Sequence, residues 1–212
     1  QINYLELKNM KKEIHIDGNA FEYTEVALFH GRKLIDRKIS KENLEILNGI
    51  LQKTNCIYGL IFGTLLGAIR EGNFIEHDED VDIYMLSEFK TDLLRLLPFL
   101  REKGIELIRF EDNLISVMRN NEYIDIYFFE PQRKWYFKKL RVHDNKYEMD
   151  AISLENPIKV LFLGMNIPIP SNARKLLRKT YGKNWKVPIK NSHALPNSFK
   201  SVLKTKFQWL KR

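Results

Sequence analysis

Apolar and polar residues repeat with different periods along the chain, and the changes of period predict the order of its helices and strands. Leu44, Leu47 and Leu51 recur at helical spacing, so we expect a helix over 41–54 with Ser40 as its N-cap. Short runs of β-branched and aromatic residues, bounded by glycine or polar residues, predict strands. After this helix we predict strands over 57–62, 81–85, 105–110, 114–119 and 123–129, and helices over 65–70 and 89–103.

The first part of the chain has the period of strands. Residues 13–17 alternate, Gly18-Asn19 is a turn signal, and residues 21–29 are rich in aromatic and β-branched types. A second turn at His30-Gly31 leads into 33–39, which we also expect to be extended. These features predict an N-terminal β-appendage.

The last part of the chain is less regular. Residues 159–163 and 167–169 flank a glycine turn and predict a hairpin, and Ser171 is placed to cap a helix through Thr180 that ends at Gly182. The basic segment that follows predicts an amphipathic tail. The pattern predicts an α+β fold in three parts: the appendage 1–39, a domain 40–190 and the tail 191–212.

Composition narrows the class of protein. A chain of 212 residues that is 44% hydrophobic fits one well-buried domain. No apolar run approaches the roughly 20 residues of a membrane-spanning helix, and the first residues lack the pattern of a secretory signal. A single cysteine, Cys56, excludes an internal disulfide and a multi-cysteine zinc site, and its apolar surroundings indicate an inert thiol. We therefore expect a cytoplasmic protein.

The formal net charge of +8 favours anionic partners. Charge alone leaves phosphates, nucleic acid and acidic lipid surfaces open. The chain has no recognisable helix-turn-helix, zinc or RNA-recognition pattern, so we do not expect it to bind nucleic acid. A basic tail is by default a solvated face, and the mixture of apolar and basic residues in this one also leaves open a peripheral contact with the inner face of a membrane.

An acidic run at the start of one predicted strand contains candidate metal ligands. Side chains two residues apart on a strand share a face, so Asp80 and Asp82 project together, and Asp78 continues the spacing. Two carboxylates about 4 Å apart repel by roughly 4 kcal/mol at an effective dielectric constant of 20. A fold tolerates such a pair if it is solvated, shares a proton or binds a cation, and oxygen ligands suit Mg²⁺ or Mn²⁺. Asp125, in a predicted apolar strand, would add a third acid if the two strands were neighbours.

A candidate phosphate site precedes the acids. Gly63 and Thr64 stand between a strand and a helix, where backbone amides and a hydroxyl face an anion. Arg70, one or two turns further on, is suited to a bidentate phosphate contact. A Gly-Thr turn alone is a weak signal, but its combination with Asp80 and Asp82 is a strong one.

The run from Gly63 to Ile83, GTLLGAIREGNFIEHDEDVDI, resembles the signature of the LicD/fukutin-related family, whose usual form is G-T-L-L-G-A-x-R-x-x-x-F-I-P-W-D-D-D-I-D. The segments 170–172 and 181–185 are similar to the closing motif of that family. The resemblance covers about residues 41–190. It implies a nucleotidyltransferase-like mixed sheet flanked by helices.

The same resemblance implies a reaction. Phosphocholine, or a polyol phosphate such as ribitol or glycerol phosphate, would pass from a CDP-activated donor to a hydroxyl of a cell-surface glycan or lipid-linked glycan, releasing CMP. Such glycans include capsular, lipopolysaccharide and teichoic types. Asp125 would act as the base that activates the acceptor hydroxyl. The resemblance places Asp78, Asp80 and Asp82 at the metal and Gly63, Thr64 and Arg70 at the donor phosphates.

One departure from the family pattern lies at the entry to the acidic run. Glu76-His77 replaces the common Pro-Trp, and Glu79 replaces an aspartate. The first change puts His77 in a position to contact the substrate or the metal. It also predicts a donor pocket that differs from that of the relatives.

Other interpretations stay open on the sequence alone. The acidic run 76–82 could be a solvated loop, Asp125 could form a structural salt bridge with an arginine, and Arg70 could be a cation at the end of a helix. Among functions, a nucleotidyltransferase that modifies a small molecule, RNA or protein with a nucleotide would keep the same acids.

Overall fold

The structure is a computed structural model and describes residues 10–28, 33–134, 137–142 and 147–188. Helices and strands follow one another in the α+β order expected from the sequence. The strands are β1 (Met10–Ile16), β2 (Asn19–Glu25), β3 (Tyr58–Leu60), β4 (Val81–Leu86), β5 (Glu106–Phe110), β6 (Leu114–Arg119), β7 (Glu122–Lys134), β8 (Phe137–Val142), β9 (Tyr147–Asp150), β10 (Ile158–Phe162) and β11 (Met165–Ile169). The α-helices are α1 (Arg37–Leu51), α2 (Phe62–Arg70), α3 (Lys90–Glu102), α4 (Ala151–Glu155) and α5 (Ala173–Tyr181).

A mixed sheet forms the centre of the molecule, with strand order β3-β4-β7-β6-β5. Strands β4 and β7 are parallel, and their other neighbours pair antiparallel. A tight turn at Asn120-Asn121, both with positive φ, joins β6 to β7. Beyond the part that pairs with β4, β7 continues and pairs with β8, which pairs with β9.

The two faces of the sheet pack against different neighbours because alternate residues point to opposite sides. Val81, Ile83 and Met85 of β4 join the larger apolar core, which also contains buried leucines of α1 and α3. Tyr84 and Leu86 belong to a smaller cluster on the opposite face, together with apolar residues of β7 and α4. The alternation therefore places the even-numbered residues of β4 on the less heavily covered face.

Helix α1 begins earlier than its leucine repeat indicates. Asp36 is the N-cap, and its carboxylate accepts hydrogen bonds from the amides of Lys38 and Ile39. The predictions of Ser40 as N-cap and of an extended segment through residue 39 are therefore wrong. Ser40 is buried and its hydroxyl donates to Glu122 Oε2 at 3.3 Å, so it is used in a tertiary contact.

Helix α2 also begins before its predicted start at residue 65. Its first residue is Phe62, whose φ of 46° lies in the left-handed region, which bulky residues rarely adopt. The chain thus turns sharply from β3 into the helix. Gly63 and Thr64 consequently lie in the first helical turn rather than in a loop before it.

The N-terminal hairpin β1–β2 packs on α3 and continues towards the edge of the main sheet. Arg101 of α3 lies over the Phe21 ring, 4.0 Å from its centroid, and Arg95 pairs with Asp17 at 2.8 Å. The Val26 amide donates to the Ile108 carbonyl of β5 at 2.9 Å. Extended structure is thus confirmed for β1 and β2, while the predicted turn at 30–31 falls outside the described residues.

One prediction about a helix end is corrected, because the N-cap of α5 is Asn172 rather than Ser171, while Gly182, with φ of 88°, ends the helix as predicted. Pro98 predicts a kink or a break in α3, and the helix is not broken there, since it continues to Glu102. The hairpin β10–β11 is confirmed with shifted ends, and the predicted tail 191–212 lies outside the described residues. Within the described ranges, every helix is too short or too polar to cross a membrane.

Candidate functional site

The parallel register of β4 and β7 brings three carboxylates together. Asp82 pairs directly with Asp125, and Asp80 lies two residues before Asp82 on the same face. One oxygen from each of the three side chains lies within 4.8 Å of the other two. Asp80 and Asp82 are 8% and 7% exposed and Asp125 is fully buried, so the cluster lies in a pocket of low dielectric.

Asp125 is held in place by hydrogen-bond donors. Asp125 Oδ1 accepts from Arg109 Nη2 at 2.7 Å and from the Ser116 hydroxyl at 2.6 Å. The Tyr127 hydroxyl lies 3.3 Å from Asp125 Oδ2. An ion pair between Asp125 and an arginine, the structural alternative to a site, is therefore present, and it coexists with the carboxylate cluster.

These partners lie in one row across four strands. Asp82 of β4 pairs with Asp125 of β7, which pairs with Ser116 of β6, which pairs with Arg109 of β5. Arg109 Nε also donates to the Ser116 hydroxyl at 2.8 Å. Although burial alone would lower it, the attraction of Asp125 raises the pKa of Arg109 above its usual value, so the guanidinium stays charged.

Two tyrosines of β7 flank Asp125 on the same face. Burial and the neighbouring acids Asp80 and Asp125 raise the pKa of Tyr123 far above its usual value, and Tyr123 is hydrogen-bonded to Asp80. Burial and Asp125 likewise raise the pKa of Tyr127. Both phenols therefore stay protonated at neutral pH and serve as donors to the carboxylates.

The start of α2 is joined to Asp82 by two hydrogen bonds. The Gly63 amide donates to Asp82 Oδ2 at 3.2 Å, and the Thr64 hydroxyl accepts from the Asp82 amide at 2.8 Å. Thr64 is fully buried. The sharp turn at Phe62 thus directs the amide end of a helix, which has a partial positive charge, towards the carboxylates.

Asp78 lies beside this helix end. A Cβ added to Gly63 would stand 2.8 Å from Asp78 Oδ2, so the Asp78 carboxylate lies directly against this glycine. The carboxylate cluster consists of Asp80, Asp82 and Asp125 and does not include Asp78. The role of Asp78 as a metal ligand stays a prediction.

The two remaining predicted residues lie at the periphery. Arg70 is in the last turn of α2, where its Nε donates to Glu71 Oε1 at 3.0 Å and its Nη1 to the Trp185 carbonyl at 3.4 Å. Seven residues of α-helix separate it from Gly63, which corresponds to about 10 Å along the axis. His77 is exposed in the loop between α2 and β4. Their phosphate and substrate contacts stay predictions.

The donor set fits a hard divalent cation. Three buried carboxylates with oxygen atoms within 4.8 Å provide an oxygen-only set of the kind that Mg²⁺ and Mn²⁺ prefer. Donors from Gly63, Tyr123 and Arg109 orient one carboxylate each, as outer residues commonly do around metal ligands. The arrangement could thus hold a metal through Asp80, Asp82 and Asp125.

Sequence reasoning did not identify Arg109, Ser116, Tyr123 or Tyr127. For Arg109 and Ser116 the available signal was a polar residue inside a predicted apolar strand, 105–110 or 114–119. Their pairing with Asp125 depends on the order of the strands, which the sequence pattern does not specify. The tyrosines lie two residues before and after Asp125, so the two-residue period of a strand would have predicted that they share its face.

Solved structures with a similar chain course include several nucleotide-transferring enzymes. The lincosamide antibiotic adenylyltransferase LnuA matches with a TM-score of 0.44 and 12% identity over 83% of this chain and 98% of its own. The antibiotic-resistance factor ANT(2'')-Ia matches with a TM-score of 0.48 and 13% identity over 82% of this chain and 85% of its own. A candidate nucleotidyltransferase from Thermotoga maritima matches with a TM-score of 0.47 and 16% identity over 86% and 99%.

Relatives by sequence include ribitol-5-phosphate transferase FKTN. The Macaca fascicularis protein is 27% identical over 170 residues, 73% of this chain and 34% of the relative, and the Homo sapiens protein is 26% identical over the same shares. An uncharacterised protein of Rickettsia typhi is 32% identical over 84 residues, 40% of this chain and 26% of its own. The chain thus spans about a third of the length of the FKTN proteins it matches.

A family description agrees with the signature in the sequence. The sequence profile of the LicD/FKTN/FKRP nucleotidyltransferase domain matches residues 55–172. This range contains α2, the carboxylate cluster and the strands β5 to β7. The predicted nucleotidyltransferase-like α+β fold is confirmed, and the chain belongs to the LicD/FKTN/FKRP nucleotidyltransferase-domain family.

Proposed function

We propose that the protein is a metal-dependent transferase that moves a phosphorylated small group from a CDP-activated donor to a glycan hydroxyl and releases CMP. The observation that supports this most is the convergence of Asp80, Asp82 and Asp125 beside the amide end of α2. The family relationship adds the class of group, since FKTN is named as a ribitol-5-phosphate transferase. We assign the activity to the domain over residues 40–190.

Each acid has a part in this scheme. Asp80, Asp82 and Asp125 would hold Mg²⁺ or Mn²⁺, with Asp78 at the edge of the site as a further acid. When bound, the ion neutralises negative charge on the donor diphosphate. The amides at the start of α2, with Gly63 and Thr64 in its first turn, supply partial positive charge to the same phosphates.

Proton transfer is assigned to Asp125. Arg109 and Ser116 donate to its Oδ1 at 2.7 and 2.6 Å, whereas the Tyr127 hydroxyl lies further away, at 3.3 Å from Oδ2, so we assign Oδ2 as the oxygen that takes the proton of the acceptor hydroxyl. The acceptor oxygen then bonds to the phosphorus of the transferred group, and the bond from that phosphorus to CMP breaks. CMP leaves as the product.

The partners and their location are inferred on the same basis. The donor is a CDP-linked choline or polyol, the acceptor is a cell-surface glycan in free or lipid-linked form, and transfer takes place in the cytoplasm or at the inner face of the membrane. The loop with Glu76-His77 lies exposed before the acids, where it is placed to select the donor. Arg70 belongs to the family signature, but it lies about 10 Å along α2 from Gly63, so the scheme gives it no step and its contact with the donor phosphates stays a prediction.

A donor panel tests the proposal. Purified protein is incubated with Mg²⁺, a mixture of glycan acceptors and CDP-choline, CDP-ribitol, CDP-glycerol or ATP in turn, and CMP is measured by mass spectrometry. One CDP donor is expected to yield CMP together with an acceptor whose mass rises by the transferred group. ATP consumption without CMP would contradict the proposal and support nucleotide transfer instead.

Matched variants give the controls. Asp80→Ala removes a cluster acid and is expected to abolish CMP release. Asp112→Asn changes an exposed aspartate in the turn between β5 and β6 and should leave release unchanged. EDTA should stop the reaction of the wild type, and excess Mg²⁺ or Mn²⁺ should restore it.

A further inference from the structure

We propose that a basic cavity at the C-terminal end of α2 is a second anion-binding site, which takes a phosphate monoester or diphosphate. The cavity has a volume of about 220 Å³ and is lined by Ile69, Arg70, Arg174, Trp185 and Lys186. Three of these five residues are cations. The proposal is independent of the reaction assigned to the carboxylate cluster.

The charges around the cavity are unbalanced. Arg70 is paired with Glu71, which offsets one of the three cations. Arg174 and Lys186 are exposed, and neither forms an ion pair with any residue in the part of the chain that the structure describes. Arg174 also lies in the first turn of α5, whose positive dipole end offsets the negative dipole end of α2 beside the cavity. An anion that enters the cavity therefore meets an excess of positive charge.

The wall of the cavity is held in place before any ligand arrives. Trp185 is 7% exposed, its amide donates to the Gly182 carbonyl at 3.3 Å, and its carbonyl accepts from Arg70. The Lys186 ammonium lies 5.8 Å from the centroid of the Trp185 ring. The backbone positions that carry the cations, in α2, in α5 and in the turn at Trp185, are therefore fixed before a ligand binds.

The cavity is separate from the carboxylate cluster. Arg70 and Gly63 share a face of α2 but stand about 10 Å apart along its axis. Between them, at Gly67, an added Cβ would lie 2.4 Å from the Asn73 carbonyl oxygen and 3.1 Å from the Ile75 amide. The loop after α2 is thus packed across this face, so a phosphate bound at one end of the helix does not contact the other end.

The chemistry of the lining selects the ligand class. Arginine guanidinium groups bind phosphate oxygens in pairs, and lysine adds a point charge. Ile69 and the buried Trp185 add apolar surface but no carboxylate, so the lining offers a metal ion no anionic ligand. A compact, multiply charged oxyanion is therefore the ligand that this set of residues favours.

Isothermal titration with inorganic pyrophosphate tests the site. EDTA is present throughout, so that the carboxylate cluster cannot bind pyrophosphate through a metal. Arg174→Ala combined with Lys186→Ala should weaken binding about a hundredfold, since each charged hydrogen bond accounts for about tenfold. Both side chains are exposed, so the variant is expected to fold as the wild type does.

The control removes the same charge one turn further along α5. Lys179→Ala combined with Arg178→Ala changes two exposed cations that do not line the cavity, and pyrophosphate affinity should stay within about twofold. Equal weakening in both double variants, or no binding by the wild type, overturns the proposal.

Vesicles that contain phosphatidylglycerol distinguish two sources of the phosphate. If the cavity variant loses vesicle binding and the control variant keeps it, the bound group is a lipid headgroup. If vesicle binding is unchanged while pyrophosphate binding is lost, the ligand is a soluble phosphate compound. Both results support the site, and they differ only in what supplies its ligand.

Discussion

Two buried carboxylates on β7 lie three residues apart and face opposite sides of the sheet. Glu122 is 1% exposed and accepts from the Lys33 ammonium, the Asp36 amide and the Ser40 hydroxyl. Asp125 is 0% exposed and accepts from Arg109, but it also lies within a few ångströms of two further acids. One strand thus contains a carboxylate held by donors and a carboxylate that is held by donors and also lies beside two charges of its own sign.

The difference separates a structural acid from a functional one. The contacts described for Glu122 all come from donors, and the ion pair with Lys33 joins the segment before α1 to the β6–β7 turn. Around Asp125 the fold accepts repulsion between carboxylates, which a bound cation would relieve. Burial alone does not distinguish the two, whereas the sign of the neighbouring charges does.

The largest expected effect is on activity at the cluster. Asp82→Asn keeps the shape of the side chain and removes its charge. The rate of group transfer should fall on the order of a thousandfold, because a metal ligand and the positioning of the donor phosphates are lost together. Glu122→Gln is the matched change on the other face and should stay within about threefold of wild type. CMP release under saturating donor measures both, and equal losses would remove the distinction between the two acids.

The second effect is on stability, where Glu122→Gln is expected to be more harmful than Asp82→Asn. Glu122→Gln leaves Lys33 without its carboxylate and should lower the free energy of unfolding by about 3 kcal/mol. Asp82→Asn relieves repulsion, so its stability without metal should equal or exceed that of the wild type. Urea denaturation in EDTA gives both values, and a clear loss of stability in Asp82→Asn would contradict a repulsive cluster.

Metal addition is expected to change the stability of the protein by a somewhat smaller amount. Mg²⁺ or Mn²⁺ at a hundred times its dissociation constant should stabilise the wild type by about 2.7 kcal/mol, since the ion binds the folded state. In a chain of this size that corresponds to roughly 5–10 °C in Tm. Glu122→Gln should keep the same increment and Asp80→Asn should lose it. A thermal shift of equal size in both variants would show that the ion binds at a site other than the carboxylate cluster.

The smallest effect concerns the residue that holds Asp125. Arg109→Lys keeps the charge but cannot reach Ser116 and Asp125 with a fixed fork, so activity should fall about tenfold and the dissociation constant for Mn²⁺ should rise about tenfold. Arg101→Lys on α3, where the guanidinium pairs with Glu106, is the matched control. Mn²⁺ affinity measured by electron paramagnetic resonance separates this effect from a loss of folded protein.

Local signals predict much of the site. Asp80 and Asp82 follow from the period of a strand, and Gly63-Thr64 indicates the strand-to-helix junction, although the helix begins earlier, at Phe62. The family signature links these two segments in a single motif, and these features are encoded within a few residues of sequence. Asp125 is expected to join them only if its strand lies beside β4, and that condition is met.

Features that depend on contacts between distant segments were not predicted. Ser40 has the chemistry of an N-cap, but the buried Glu122 binds its hydroxyl, and Asp36 caps the helix. Arg109 reaches Asp125 only because β5, β6 and β7 are neighbours in a particular register. Propensity describes a residue among its sequence neighbours, so it cannot indicate which strand will lie beside another.

The register between β4 and β7 has a consequence for how the protein becomes functional during folding. Asp82 and Asp125 come from strands that are separated along the chain by α3, β5 and β6, and parallel neighbours of this kind pair only after a long loop has closed. Early species with α1, α2 and β4 formed would contain two of the acids and no complete cluster. Metal affinity would therefore appear together with the last long-range pairing, and an ion such as Mn²⁺ could serve as a spectroscopic reporter for completion of the sheet.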